Sequence, residues 1–250
     1  MSDTANFTEH ILKVHDTTNQ LVGWVMRTFR TRNRLPMLTL WKSLILPKLD
    51  YCSQLWNPYK KGHIQLLEGV QRRFMRRIKG ISDLDYWEQL KKLSVYSLQR
   101  RRERYIIIYV WKILENLVPN LPNANALEIE DGGRRGRLCK ENVVNLRLPK
   151  KLQNLRSSSF SVIGPLLFNA IPKELRDIKN VEVDIFKREL DRWLAKVPDE
   201  PQIRNYTAMR QAETNSLLDM ACLAEPHQVG LWEEQSVRDA GGGCTQRPRD

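Results

Sequence analysis

The stretch with the strongest fold signal reads SLQRRRERYIIIYVWKILENL and covers residues 97–117. Its second half is apolar on all sides, a pattern typical of a helix at the centre of a core. Val118 and Pro119 follow, and they end the helix because proline disfavours the helical conformation of the residue before it. The sequence therefore predicts a long central helix.

Amphipathic stretches flank this central helix on both sides. Apolar residues recur every three or four positions over residues 8–30, from Pro36 to Pro47, over residues 63–79 and from about Tyr86 to Leu93, and again after Asp184. Spacing of this kind is the signature of helices with one buried face. The fold class that the sequence predicts is mainly α.

Changes in composition and apolar periodicity divide the chain into four parts. Residues 1–118 are predicted to form a basic helical bundle, and prolines with the cluster Gly132–Arg137 indicate a linker or irregular segment over 119–159, in which short strands can form. A small helical segment is expected over 160–198. Residues 199–250 are expected to be mostly a disordered tail.

Positive charge is concentrated in one part of the chain. The net charge is +12, and residues 60–112 contain 14 basic and 5 acidic residues, a surplus of nine. A localised basic surplus is the electrostatic footprint expected of a protein that binds a phosphate backbone. Nucleic acid is therefore the predicted partner. An anionic membrane is the rival partner for a basic chain, although the predicted partners do not include it. No membrane span is expected, because the longest apolar run, Tyr105 to Trp111, is far shorter than the roughly 20 residues of a span.

Two basic clusters are candidate nucleic-acid contacts. The first lies on the helix predicted over residues 63–79, where arginines at one- and four-residue steps form a projecting double row opposite the apolar residues. The second opens the central helix, where positive charge opposes the helix dipole and indicates a bound anion or a nearby acidic partner. The alternative interpretation is that both clusters are solvent-exposed helix faces without a partner. The candidate residues are Arg72, Arg73, Arg76, Arg77 and Lys79 in the first cluster, and Arg100, Arg101, Arg102 and Arg104 in the second.

Four aromatic residues lie among these basic residues and allow two interpretations. Tyr86, Trp87, Tyr96 and Tyr105 could stack on unpaired bases. Their spacing relative to neighbouring leucines favours core packing instead.

The sequence lacks the motifs of the common catalytic and metal-binding sites. Polymerases hold two metal ions with clustered carboxylates, and this chain contains no Asp-Asp pair. It also contains no P-loop, no His-Glu-x-x-His and no Gly-x-Ser-x-Gly motif, and its four cysteines are too scattered for a zinc knuckle. We therefore expect no catalytic residue, no metal site, no cofactor and no small-molecule substrate.

Several ordered blocks of sequence resemble one protein family. They read GWVMRTFRTR (23–32), MLTLWKSLILPKLDYC (37–52), QLWNP (54–58), LEGVQRRF (67–74), YSLQRRRERY (96–105) and GPLLFNAIPKELR (164–176). These blocks are similar to the region after the polymerase palm in non-LTR (LINE-type, jockey-like) retrotransposon reverse transcriptases. The resemblance covers about residues 6–223, and Thr8–Ile11 looks like the end of the preceding palm segment. The last residues, after about 224, depart from the family pattern.

The resemblance implies a thumb-like helical bundle that grips an RNA or RNA/DNA template-primer through its backbone, largely without sequence specificity. It also implies that this chain lacks the palm with its metal-binding aspartates, so that it is not an RNA-directed DNA polymerase by itself. Two other hypotheses remain open: a non-functional relic open reading frame, and a domesticated protein-interaction module. The sequence shows no secretory signal, so an intracellular chain is expected, and the basic clusters are compatible with the nucleus.

Overall fold

The computed structural model of the protein describes residues 7–119, 127–131, 133–140, 156, 158–201 and 215–218. Helices dominate these residues, and the predicted mainly α class is confirmed. The helices are α1 (Thr8–Thr28), α2 (Arg34–Leu40), α3 (Leu46–Asp50), α4 (Ser53–Trp56), α5 (Lys61–Met75), α6 (Tyr86–Leu93), α7 (Leu98–Leu114), α8 (Phe160–Ala170), α9 (Lys173–Arg176) and α10 (Val183–Leu194). None of the described helices is long and apolar enough to cross a membrane.

The helical stretch that the sequence predicts from Pro36 to Pro47 contains a π-helical turn. This turn, Trp41–Ile45, connects α2 to α3 without a break, and the N–H of Leu46 donates to the carbonyl oxygen of Trp41. Pro47 has no N–H, so the regular hydrogen-bonding pattern cannot continue through it. The helix therefore continues past the proline but changes its hydrogen-bond spacing just before it.

The predicted central helix is α7, and it is shared between two apolar clusters. Leu98, at its start, belongs to an N-terminal cluster built from α1 to α6, and residues from Ile106 onwards belong to a C-terminal cluster. Trp111 is fully buried in the C-terminal cluster, where its ring stacks on Phe186 of α10 at a centroid distance of 4.5 Å and its Nε1–H donates to the carbonyl oxygen of Ile178. The two cores thus meet within α7 and not at residue 118.

A close approach between helices places α8 against α7. A Cβ atom at Gly164 would lie 2.9 Å from Cγ2 of Val110, closer than real Cβ contacts allow. Glycine at this position therefore lets the two helices pack backbone to side chain at short range.

The segment predicted as a linker contains a hairpin that docks onto α8. Strands β1 (Glu128–Asp131) and β2 (Arg137–Lys140) pair antiparallel, as the sequence allowed for short strands. Asn169 of α8 donates to the carbonyl oxygen of Cys139 at 2.9 Å and accepts from its N–H at 2.8 Å. The side-chain amide of Asn169 therefore pairs with the backbone of β2 as a neighbouring strand would.

Two short stretches that the sequence assigned to the tail belong to the fold. The carboxylate of Asp199 accepts from the N–H and the hydroxyl of Ser97 at 2.7 and 2.8 Å, and Asn215 donates to the same carboxylate at 2.7 Å. The N-terminus of α7 attracts them because its first N–H groups have no partner within the helix. Residues 202–214 and 219–250, the rest of the predicted tail, lie outside the described residues.

A second carboxylate, that of Glu68 on α5, also accepts a hydrogen bond at the N-terminus of α7. It accepts from the N–H of Leu98 at 3.2 Å and from the hydroxyl of Tyr86, and it is almost fully buried. Burial raises the pKa of Glu68 above its ordinary value of 4.5. We use the name α7 clasp for Glu68, Tyr86, Ser97, Asp199 and Asn215.

Replacing Trp111 with alanine should lower the free energy of unfolding by about 3–5 kcal/mol, because it leaves a large cavity between α7 and α10. Tyr109→Ala is the matched control, since Tyr109 is 39% exposed on the same helix. Urea denaturation followed by circular dichroism measures both variants. Equal losses in the two variants would contradict a core role for Trp111.

The α7 clasp should also set part of the pH dependence of stability. The folded protein binds a proton at Glu68 more tightly than the unfolded chain does, because the pKa of Glu68 is raised. Its contribution is therefore present below pH 4.5 and is lost as the pH rises through the raised pKa. The free energy of unfolding should fall more steeply above pH 4.5 in the wild type than in Glu68→Gln. Parallel pH curves, with exposed Glu174→Gln as control, would refute this assignment.

Candidate nucleic-acid interface

The first basic cluster lies at the C-terminal end of α5. Arg72 and Arg73 occupy the last helical turn, and Arg76, Arg77 and Lys79 lie in the turns that follow, because α5 ends at Met75 and not at the predicted Lys79. All five side chains are exposed, as the double-row pattern predicted. We call these five residues the α5 basic row. Contact with nucleic acid remains a prediction.

The α5 basic row keeps its charge available to a partner. Arg72 lies over the ring of Tyr86 at 4.7 Å and Arg73 donates to Oδ1 of Asn19 at 2.6 Å, so both guanidinium groups are oriented by neutral groups. Within the described part of the chain, no carboxylate forms an ion pair with any residue of the row. Positive charge at this end of a helix is also favoured by the helix dipole.

A depression of about 680 Å³ lies beside the row, where α5 ends and α6 begins. Two arginines and two aromatic rings face the two aspartates that precede α6. The residues that line it include Arg72, Arg76, Asp83, Asp85, Tyr86 and Trp87. Tyr86 is buried and bonded to Glu68, which confirms its predicted core role, whereas Trp87 is half-buried.

The connection between α1 and α2 extends the basic surface. The N–H of Lys79 donates to the carbonyl oxygen of Arg32 at 2.8 Å, which joins this connection to the α5 basic row. Arg27, Arg30 and Arg34 are exposed around it. Arg32 itself is half-buried and caps the end of α1, where it donates to the carbonyl oxygen of Met26 at 2.9 Å.

The candidate contacts predicted from the sequence do not include Arg27, Arg30 and Arg34. The signal was nevertheless present, because no Asp or Glu occurs between Asp16 and Asp50, whereas six Lys and Arg residues do. The charge surplus over residues 60–112 does not include this segment, whose basic residues are more widely spaced along the chain.

The second basic cluster does not form a surface. Arg100 is 0% exposed and Arg102 is 2% exposed, so the prediction that these two residues contact nucleic acid is wrong. Arg100 donates to the carbonyl oxygens of Pro198 at 2.9 Å and Asn215 at 3.2 Å, and it lies near the carboxylate of Glu103. A buried guanidinium of this kind balances buried carboxylates and is not available to a phosphate.

Arg101 and Arg104 are half-buried, and each has an acidic partner. Nε of Arg101 lies 2.7 Å from Oδ2 of Asp50, and Nη2 of Arg104 lies 2.7 Å from Oδ2 of Asp191. Of the two explanations that the sequence offered for arginines at a helix N-terminus, the nearby acidic partner is confirmed. The partners come from the chain itself.

Burial changes the proton affinity of several groups in this interior network. It lowers the pKa of the Arg102 guanidinium, and it raises the pKa of the Glu103, Asp199 and Asp50 carboxyls. The neighbouring opposite charges act against each of these shifts. The network is therefore a mutually dependent set in which the loss of one charge leaves another uncompensated.

Metal ligands are not clustered in the part of the chain that the structure describes, where no group of three or more His, Cys, Asp or Glu residues could hold a metal ion. Cys139 is buried and Cys52 is exposed, and neither forms a disulfide.

Comparisons with known proteins give one distant relative. No family model matches the chain and no solved structure matches it. An uncharacterized protein of Caenorhabditis elegans is 26% identical over 129 residues, which cover 49% of this chain and 63% of that protein. The chain thus spans less than two thirds of its relative's length. The name of that relative assigns no activity.

Mutations in the two basic clusters should change the free energy of unfolding by very different amounts. Arg100→Ala should lower the free energy of unfolding by about 3–5 kcal/mol, because it leaves buried carboxylates without their partner. Arg76→Ala, on the exposed row, should change it by less than about 0.5 kcal/mol. Urea denaturation at pH 7 compares the two, and a similar small effect for both would contradict the interior role of Arg100.

Proposed function

We propose that this chain binds RNA or RNA/DNA duplexes through contacts with the sugar-phosphate backbone and performs no catalysis by itself. The observation that carries the proposal is the α5 basic row, whose five exposed cations have no described carboxylate partner and adjoin the exposed arginines of the α1–α2 connection. A surface of this kind positions a nucleic acid but does not read its sequence, because phosphates carry no sequence information.

The position of the charge supports nucleic acid over an acidic protein segment. The basic surface draws on two elements, the end of α5 and the α1–α2 connection, which are joined at Lys79 and Arg32. An extended array of cations suits the repeating charge of a polynucleotide backbone. Arg72 and Arg73 lie in the last turn of α5, and contacts with Tyr86 and Asn19 orient them, so little ordering of these two side chains is required on binding.

The resemblance to non-LTR reverse transcriptases supports the same proposal. Two of the blocks that resemble the family, residues 23–32 and 67–74, contain Arg27, Arg30, Arg72 and Arg73 of the basic surface. In this proposal the helical bundle acts as a thumb that holds a template-primer. We expect no polymerase activity from the chain, because it has no Asp-Asp pair with which to hold catalytic metal ions.

A salt titration tests the proposal. The purified chain is titrated with a primed RNA template and with a size-matched acidic polymer, and circular dichroism checks that it is folded. We expect weak binding with a steep salt dependence and a preference for the primed template. Equal affinity for both polymers would favour an acidic-partner module, and an aggregated or molten chain would favour the relic hypothesis.

Changing Arg72, Arg73, Arg76, Arg77 and Lys79 together to alanine should abolish most of this binding. Each lost phosphate contact reduces the slope of log affinity against log salt by about 0.7–0.9, so five lost contacts reduce it by about 3.5–4.5. The charge-matched control changes five exposed basic residues elsewhere, namely Lys173, Lys179, Arg188, Arg192 and Lys196. The proposal fails if the α5 variant, with unchanged helicity, binds RNA as well as the wild type at low salt.

A further inference from the structure

Trp24, on α1, is exposed to solvent, whereas the other tryptophans that the structure describes are buried or half-buried. It is 46% exposed, and its ring meets Phe29 edge to face at a centroid distance of 6.1 Å and an interplanar angle of 83°. Because an indole offers a large apolar face, leaving it in water is unfavourable unless a partner covers it. The contact with Phe29 orients the ring, and 46% of the residue stays open to solvent.

The surroundings of Trp24 are cationic. Arg27 lies one helical turn further along α1, on the same side as Trp24. Its guanidinium folds back onto the helix beside Gly23, where an added Cβ would lie 3.3 Å from Nη1. Arg30, in the following connection, and Arg34, the first residue of α2, are exposed in a segment with no acidic residue. An acidic or phosphate-bearing partner fits this chemistry, and a purely apolar one does not.

Three contacts join Trp24 to the α5 basic row. The Trp24 ring contacts Phe29, the carbonyl oxygen of Phe29 accepts from Arg32, and the carbonyl oxygen of Arg32 accepts from the N–H of Lys79. Packing and hydrogen bonds therefore link the indole, through the α1–α2 connection, to the α5 basic row. A single strand whose phosphates lie on Arg27 and Arg30 can bring a base to the indole.

We propose that Trp24 is a stacking platform for an unpaired base of single-stranded nucleic acid, with Arg27 and Arg30 on the adjacent phosphates. This inference rests on the proposed nucleic-acid binding and adds a preference to it. Bases in a duplex are already stacked on both faces, so only a single strand or an unpaired end can place a base on the indole. Any base can stack, so the platform distinguishes strandedness and not sequence.

The experiment measures the affinity of the full chain for a single-stranded oligoribonucleotide and for a blunt duplex of the same length, at low salt. Trp24→Ala and Trp24→Leu should both weaken single-strand binding roughly tenfold, in line with the loss of one stacked base. Their duplex affinity should stay at the wild-type level. Trp24→Leu keeps an apolar side chain against Phe29, so loss of fold does not explain a shared effect. Leu35→Ala is the control, since Leu35 is apolar and 77% exposed, and it should leave both affinities unchanged.

Unchanged single-strand affinity in both Trp24 variants, or an equal loss for strand and duplex, overturns the platform. A protein partner on Trp24 would give the first of these results. Failure of the proposed function looks different, because the wild type then binds neither probe or the variant lacking the α5 basic row binds both normally. If that variant weakens both probes while the Trp24 variants match the wild type, only the platform is wrong.

Discussion

The neutralisation of charge at the start of α7 is the constraint on which the rest of the structure depends. Four arginines within five residues open a helix whose dipole already makes that end positive. Such a segment is stable in the interior only if carboxylates surround it, and the chain supplies them from five positions. These are Asp50, Glu68, Glu103, Asp191 and Asp199.

Because these carboxylates come from distant parts of the sequence, charge neutralisation also assembles the fold. Glu68 attaches α5, Asp191 attaches α10, and Asp199 with Asn215 attaches the last described segments. Apolar packing alone is not specific about which helix lies next to which, whereas buried ions and helix ends require particular partners. The two apolar clusters then fill in around α7, one on each half of the helix.

The arginines of α7 and those at the end of α5 have different environments. The arginines on α7 lie next to carboxylates of the same chain. Arg72 and Arg73 lie instead at the end of α5, where positive charge is favourable and where neutral groups orient them. The exposed set is therefore free for an external anion at little cost to the fold. Two of these side chains, Arg72 and Arg73, are held by Tyr86 and Asn19, which suits the proposed contact with a nucleic-acid backbone.

The sequence by itself determined the helical class, the central place of α7 and the exposure of the α5 basic row, because these depend on periodicity over a few turns of one helix. It also correctly placed Tyr86 in the core by the same kind of spacing. It could not tell the arginines of α7 from those of α5, since both are runs of like charge. Only the tertiary structure brought Asp50, Asp191 and Asp199 to α7, and only it joined Arg32 to Lys79. Whether an arginine is paired or exposed depends on carboxylates that are far away in the sequence. A pattern of neighbouring residues does not show which distant residues will lie next to it.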